Sequence, residues 1–282
     1  MVLETLIKPY EAEINPKKIF IHGLIYGIVG ILLAWWVFPQ YASIVSVFFI
    51  SAASIPFLYT LIKYEEEKDV QLPQQTLWKE HSKAIQVYLW LFFGIMMAYT
   101  LFFLFTPEIY LQTLFEAQID TYAQINPNKT ITGQMTGGDW FQKIFFNNLR
   151  VLILCVLFSF LYGAGAIFIL TWNASVIALA IGNTVRTQLG AITGVETVTQ
   201  YFALSAYTIL LRYGLHGILE ILAYLLAGLA GGIISVGVLR NHFSSDKYSV
   251  LVMDITKLLL LAVLLLLLGA IIEVWITPYF YL

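Results

Sequence analysis

The chain of 282 residues is 60% hydrophobic and only 11% charged, with a formal net charge of −2. A soluble domain of this length could not bury so much apolar surface, because its exterior would need more polar residues. The small net charge gives no electrostatic basis for binding nucleic acid. The single cysteine, Cys155, excludes an internal disulfide and a cysteine-rich metal site. The composition therefore predicts an integral membrane protein whose first partner is the lipid bilayer.

The first residues of the chain are polar but carry apolar side chains at helical spacing. This pattern predicts a short amphipathic helix on the membrane surface, broken near Pro9. The residues of its apolar face are Leu3, Leu6, Ile7, Tyr10 and Ile14.

Seven apolar runs follow, and a run of about 20 residues is needed to cross a hydrocarbon core of about 30 Å. A further apolar stretch, 199–211, is too short to cross and is typical of a re-entrant half-helix. We therefore predict an all-α integral membrane protein, with about seven transmembrane helices plus one re-entrant half-helix, in a single polytopic domain over residues 1–282. The approximate spans are 19–38, 41–62, 84–105, 148–170, 173–189, 215–239 and 255–276.

Two long polar stretches connect these runs. The first, 63–83, contains the run EEEKD at 65–69, which is either a solvated charge run or a docking site for a cytoplasmic partner. The second, 107–146, begins as an interfacial helix and continues as a loop, because it is rich in Asn, Pro, Thr and Gly. Asn128 in this loop opens an N-glycosylation sequon.

Positive charges orient the spans, since cytoplasmic connections carry an excess of Lys and Arg. Most of these residues fall in the N-terminal segment, in 63–83 and in 240–257, whereas the opposite connections carry only Lys129 and Lys143, with Arg150 near the entry to span four. We expect a multi-pass protein of the cell membrane with its N-terminus in the cytoplasm and its C-terminus outside. This orientation requires that residues 199–211 do not cross.

Arg212, His216 and Glu220 are spaced four apart in an apolar region, where ionisable side chains are costly and usually face a cavity or one another. On one continuous helix they form a stripe in which Glu220 pairs with His216. A turn at Tyr213 and Gly214 would instead place Arg212 on the other arm of a hairpin. The stripe is either an internal ion-pair lock or part of a substrate or proton pathway.

Three more polar residues lie at the predicted span ends. Asn148 and Asn173 either cap helix ends or bond across helices, and Glu273 is either a snorkelling carboxylate or part of the same polar cluster. Asp254 is expected to pair with Lys257. The predicted membrane-embedded polar cluster is therefore Arg212, His216, Glu220, Glu273, Asn148 and Asn173.

Small residues recur every four positions after Glu220, and they let helix backbones approach closely, either within the fold or across a homo-oligomer interface. They are Ala223, Ala227, Gly231 and Ser235, with Gly228 and Gly232 beside them. The sequence contains no Walker A motif, no HExxH and no nucleophile elbow. We therefore predict no enzyme activity, no catalytic residue, no metal and no cofactor.

Three segments resemble the stage II sporulation protein M family: residues 147–182, residues 212–235 and IIEVWITP at 271–278. LIKPYEAEINP near the N-terminus, EEEKD and WKEHSKA resemble its archaeal branch. One position departs from the family, which often has His-Gly-x-Pro-Glu where this chain has Leu219. Because Pro marks a helix start, its absence favours a helix that begins before Glu220.

The resemblance implies a membrane fold, and the bacterial namesake acts in membrane remodelling during engulfment, in a complex with other membrane-anchored proteins. We therefore expect a scaffold or assembly factor that recruits cytoplasmic or membrane proteins through EEEKD and the 107–146 segment. The alternative is a transporter or channel-like permease with a midplane site around His216 and Glu220, since broken helices often frame such sites.

Overall fold

The computed structural model describes residues 7–71, 74–125, 136–190, 206–240 and 248–280, and all of its regular elements in these ranges are helical. Seven of these helices are long and apolar enough to cross a membrane. The predicted fold class is thereby confirmed. Leu3, Leu6 and the sequon at Asn128 lie outside the described residues.

The spanning helices are α2 (Lys18–Val37), α3 (Ala42–Gln71), α4 (Gln74–Phe105), α6 (Gly137–Tyr162), α7 (Ala166–Gly190), α8 (Leu215–Leu239) and α9 (Tyr248–Ile271). Two further helices, α1 (Pro9–Ile14) and α5 (Glu108–Ile125), are not among the spans. Short π-helical segments precede α8 at Leu210–Gly214 and follow α9 at Ile272–Ile276. Single 3₁₀ turns lie at Pro39–Tyr41 and Thr277–Phe280.

Pro9 begins α1, and residues 7 and 8 before it are not helical, while the part of the predicted helix before residue 7 lies outside the described residues. Proline is well tolerated in the first turn, because the amide hydrogen that it lacks would have no partner within the helix.

The boundary between the fourth and fifth spans lies earlier than predicted. The turn is at residues 163–165, where Gly163 has a φ of +72°, a conformation that glycine adopts without strain. At Gly165 a side chain would collide with the carbonyl of Phe158. The start of α6 was also missed, because the side chains and backbones of Thr136 and Asp139 form a reciprocal capping box within the predicted loop.

Most of the predicted half-helix, residues 199–205, lies outside the described residues. The described part is helical from residue 206 and continues into α8, with Gly214 at φ −75° and ψ −39°, so there is no hairpin turn at Tyr213 and Gly214. A helix that begins before Glu220, as the missing proline indicated, is confirmed.

Both flanks of this segment lie at the same end of the bundle. Gln188 Nε2, near the end of α7, donates to Thr208 Oγ1 at 3.4 Å. Thr208 therefore lies beside the end of α7.

The small residues of α8 pack within the fold. A side chain at Gly231 would meet Val156 and Ser159 of α6, and one at Gly228 would meet Ala166 of α7. Ala223 and Ala227 are fully buried. The close approach that these residues permit is used by neighbouring helices of the same chain, so it is not evidence for a homo-oligomer interface.

Candidate functional site

The predicted polar cluster assembles in part, around Glu220. Asn148 Nδ2 donates to Glu220 Oε1 at 2.6 Å. Asn148 lies in the interior of α6 and not at a helix start, so it bonds across helices and is not a cap. The bond therefore joins α6 to α8.

His216 is not the partner of Glu220, contrary to the sequence prediction. Its Nδ1 instead lies 3.3 Å from Thr277 Oγ1, in the 3₁₀ turn at the end of the last span. The reason is tertiary, because α6 brings an amide to Glu220 and the chain after α9 brings a hydroxyl to His216. The spacing of His216 and Glu220 on one helix gave no information about the two partners on other parts of the chain.

Glu273 lies beside this cluster, in the π-helical segment that follows α9 and four residues before Thr277. Gly269 of α9 faces the same place, since a side chain there would lie 3.4 Å from Cγ of Glu220. We call Asn148, His216, Glu220, Glu273 and Thr277 the Glu220 cluster.

The Glu220 cluster lies near the start of α8 and the end of the last span. Glu220 is only five residues into α8, and Thr277 follows the last span. Tyr213, just before α8, has its hydroxyl 3.4 Å from that of Tyr122 on α5, which is not a spanning helix. Both helices that carry the cluster have a π-helical segment beside it, and such segments are frequent at functional sites.

Two predicted members do not join the cluster. Asn173 lies in the interior of α7, where its Nδ2 donates to the carbonyl of Ile169 in the same helix at 2.8 Å. The side chain of Arg212 lies outside the described part of the structure, and its backbone forms part of the π-helical segment.

A second group of charged residues lies at the opposite end of the bundle. Lys68 Nζ donates to Glu13 Oε1 and Oε2 at 2.7 and 2.6 Å, and to Glu65 Oε1 at 2.6 Å. It also lies 3.3 Å from Glu80 of α4. Lys68 thus joins α1, α3 and α4.

His81 continues this network to α9. Its Nδ1 lies 3.0 Å from Glu65 Oε2, and its Nε2 lies 2.6 Å from Asp254 Oδ2. Ionised carboxylates only accept hydrogen bonds, so with both acids ionised both ring nitrogens donate and His81 is an imidazolium. The side chain is 1% exposed, which places this cation in the interior.

Arg240, just after α8, completes the network. Its Nη1 lies 3.0 Å from Glu66 Oε2, and its Nη2 lies 2.9 Å from Glu67 Oε1. We call Glu13, Glu65, Glu66, Lys68, His81, Arg240 and Asp254 the ion cluster. It ties five elements together, namely α1, α3, α4, the end of α8, and α9.

The sequence did not reveal the ion cluster. The interpretation of EEEKD as a solvated run is wrong for Glu65 and Glu66, which are fully buried, and for Lys68, which is 8% exposed. The predicted Asp254–Lys257 pair is also wrong, since Asp254 binds His81. The one available signal was that all these ionisable residues stand near the same predicted ends of the spans.

Glu13, like Arg240, stands outside the spans. Burial, reinforced by the neighbouring Glu65 carboxylate, raises the pKa of Glu13 to about 7, although Lys68 opposes this. Among the described residues, no three His, Cys, Asp or Glu side chains form a group that could hold a metal ion. The arrangement is suited to holding helices together.

The family model for stage II sporulation protein M matches residues 23–278. The chain belongs to this family. No curated protein and no solved structure matches it.

The three segments that carry the resemblance to stage II sporulation protein M meet at the Glu220 cluster. The first supplies Asn148, the second His216 and Glu220, and the third Glu273 and Thr277. The matched range also covers most of the ion cluster but leaves out α1 with Glu13.

Proposed function

We propose that the chain is a scaffold or assembly factor in the organisation of the membrane or envelope, and that it lies in the cell membrane with its N-terminus in the cytoplasm. Membership of the stage II sporulation protein M family supports this proposal. The single observation that carries it is the ion cluster, which ties five elements at one end of the bundle.

A closed end of this kind supports a scaffold over a permease. Alternating access moves one part of a transporter against another, so that each end of the pathway opens in turn. Opening this end would separate His81 from Asp254 or Arg240 from Glu66, and a buried charge left without its partner is strongly destabilising. A bundle that serves as a fixed support needs no such opening.

The ion cluster changes where partners are expected to bind. Glu65, Glu66 and Lys68 are buried within the fold, so they cannot serve as the recruiting surface that EEEKD suggested. The exposed face of α5, from the 107–146 segment, remains available and carries Gln112, Glu116 and Asp120 at a spacing of four. Its other face is held in the bundle, because Gln118 Nε2 donates to the carbonyl of Ser43 and to Ser175 Oγ.

Native complexes from the host membrane test this proposal. After gentle crosslinking and solubilisation, we expect the tagged chain in a stoichiometric assembly heavier than the monomer. Glu116→Arg with Asp120→Arg should release the partner, whereas Glu11→Arg, an exposed acid on α1, should not. If neither variant releases the partner, or if both release it equally, α5 is not the surface that binds the partner. A monomer in every preparation would refute the scaffold role.

The likeness of LIKPYEAEINP, EEEKD and WKEHSKA to the archaeal branch supports placing the chain there. An archaeon does not sporulate in the manner of the bacterial namesake. We therefore propose assembly in the membrane without extending the engulfment role to this chain.

A second candidate function is transport or channel-like permeation through the Glu220 cluster. The observation that favours it is the pair of π-helical segments beside the half-buried carboxyl groups of Glu220 and Glu273. This alternative predicts that Glu220→Gln yields a folded protein without cellular activity. The scaffold proposal predicts that the folded Glu220→Gln protein keeps its partners and supports normal growth.

A further inference from the structure

The face of α6 that points away from the bundle carries a row of polar side chains inside an otherwise apolar span. Lys143, Asn147 and Arg150 are all exposed and are spaced four and three residues apart, so they lie on one side of the helix. Further along, the same side of α6 is apolar and exposed at Ile153, Leu154 and Leu157. That apolar part is suited to contact with lipid chains.

Arg150 lies in the interior of α6. It is 13 residues after Gly137 and 12 before Tyr162, or about 20 Å from either end of α6 at about 1.5 Å per residue. Its exposed side chain makes no hydrogen bond or ion pair within the described residues. A guanidinium facing hydrocarbon is costly, so an anionic partner from the surrounding membrane would stabilise it.

The direction of the side chain indicates where that partner lies. Side chains of a helix point toward its N-terminus, so Arg150 reaches toward Asn147 and Lys143. Lys143 in turn lies 5.1 Å from the ring of Trp140, a residue type that is enriched at headgroup level. A long Arg side chain can extend toward that level along the helix surface.

The chemistry of the row selects an anion with several oxygens. Lys and Arg offer only donors, and the Asn amide adds two more. The nearest acid along the helix, Asp139, is already bound by the backbone and hydroxyl of Thr136. A bilayer supplies phosphates at this level around the whole protein, so the occupant need not be a second protein.

We propose that Lys143, Asn147 and Arg150 bind the headgroup phosphate of one anionic phospholipid, in the leaflet at the N-terminal end of α6. The three donors and the absence of a free carboxylate in the row favour a headgroup with net negative charge over a zwitterionic one. The apolar part of the same face receives the acyl chains. This inference does not rest on the proposed scaffold role.

Native mass spectrometry of the full chain, with phosphatidylglycerol and phosphatidylcholine titrated separately, tests the proposal. We expect one tightly held phosphatidylglycerol. Arg150→Gln should weaken its binding about tenfold, equivalent to about 1.4 kcal/mol, and Lys143→Gln should also weaken it. Lys17→Gln, an exposed lysine at the opposite end, should leave binding unchanged. Because the described part of the fold gives Arg150 no hydrogen bond or ion pair, its variants should keep the melting temperature in lipid-free detergent.

Equal binding by Arg150→Gln and the wild type would overturn the proposal. So would the same loss of binding in Lys17→Gln, since that result indicates general charge attraction. Soluble glycerol phosphate that displaces the lipid at comparable concentration would show a simple anion site. A crosslink from residue 150 to an acidic residue of a second protein would show a partner helix in place of a lipid.

Discussion

Asn148 of α6 and Glu220 of α8 form a 2.6 Å hydrogen bond between two membrane-spanning helices, where the sequence had indicated a Glu220–His216 pair. Glu220→Leu should lower the free energy of unfolding by about 1–3 kcal/mol, because the Asn148 amide is left without its acceptor. Asn148→Leu in the same chain should restore part of that loss. Thermal unfolding in detergent measures both effects.

Glu220→Gln is the matched control for this pair, since its amide oxygen can still accept from Asn148 Nδ2. We expect it to be nearly as stable as the wild type. Replacing His216 together with Glu220 should give no recovery. A double change at residues 148 and 220 that is simply additive would contradict the pairing.

His81→Ala removes the group that joins Glu65 to Asp254. We expect a loss of stability of about 3–5 kcal/mol, because two buried carboxylates lose their shared cation. His22→Ala is the control, since His22 lies in α2 and, within the described ranges, is hydrogen-bonded only to the carbonyl of Lys18 in its own helix. Equal stability of the two variants would mean that the ion cluster does not hold the bundle together.

The Glu13 carboxylate makes stability depend on pH. Its pKa in the folded protein, about 7, is above the ordinary value of 4.5, so the contribution of Glu13 is fully present below pH 4.5 and is lost as pH rises through 7. Glu65 and Lys68 of α3 face this group, with Glu80 of α4 beyond Lys68. We expect Glu13→Gln to flatten the fall in melting temperature between pH 5 and 8. Glu11→Gln, an exposed acid of the same helix, should leave that fall unchanged, and an unchanged slope in Glu13→Gln would refute the assignment.

The proposed orientation is tested by labelling with a membrane-impermeant thiol reagent in cells. In a Cys155→Ser background, Lys17→Cys should react only after the membrane is permeabilised, whereas Tyr279→Cys should react in intact cells. Seven spans place these positions on opposite sides. Labelling of residue 17 from outside would reverse the orientation, and labelling of both from one side would contradict the number of crossings.

The helices that face lipid could be predicted from the sequence, because a span is recognised by about 20 apolar residues in a row. Span one was predicted at 19–38 and is found at Lys18–Val37. The turn at Gly163 was missed, because the run continues through it without a polar residue. The positive φ of Gly163 sets this boundary, and a hydropathy pattern carries no information about backbone dihedral angles.

For the candidate sites too, the sequence indicated part of the answer, and the contacts between distant residues decided the rest. Glu220 was recognised as costly in an apolar stretch, yet its partner, Asn148, is 72 positions away and no spacing rule connects them. Glu65 was assigned to solvent because runs of charge usually are solvated. Its burial depends on His81, which stands 16 positions later, on another helix.

The distance between the ends of α4 and α9 beside the ion cluster tests most directly whether this end of the bundle stays closed. Spin labels at Lys79→Cys and Met253→Cys, both exposed positions, report that distance by double electron–electron resonance in a Cys155→Ser background. The scaffold account predicts one narrow distance distribution, unchanged between detergent and lipid nanodiscs. A second population at longer distance would show that the His81–Asp254 end opens, as a permease requires, and would contradict the account.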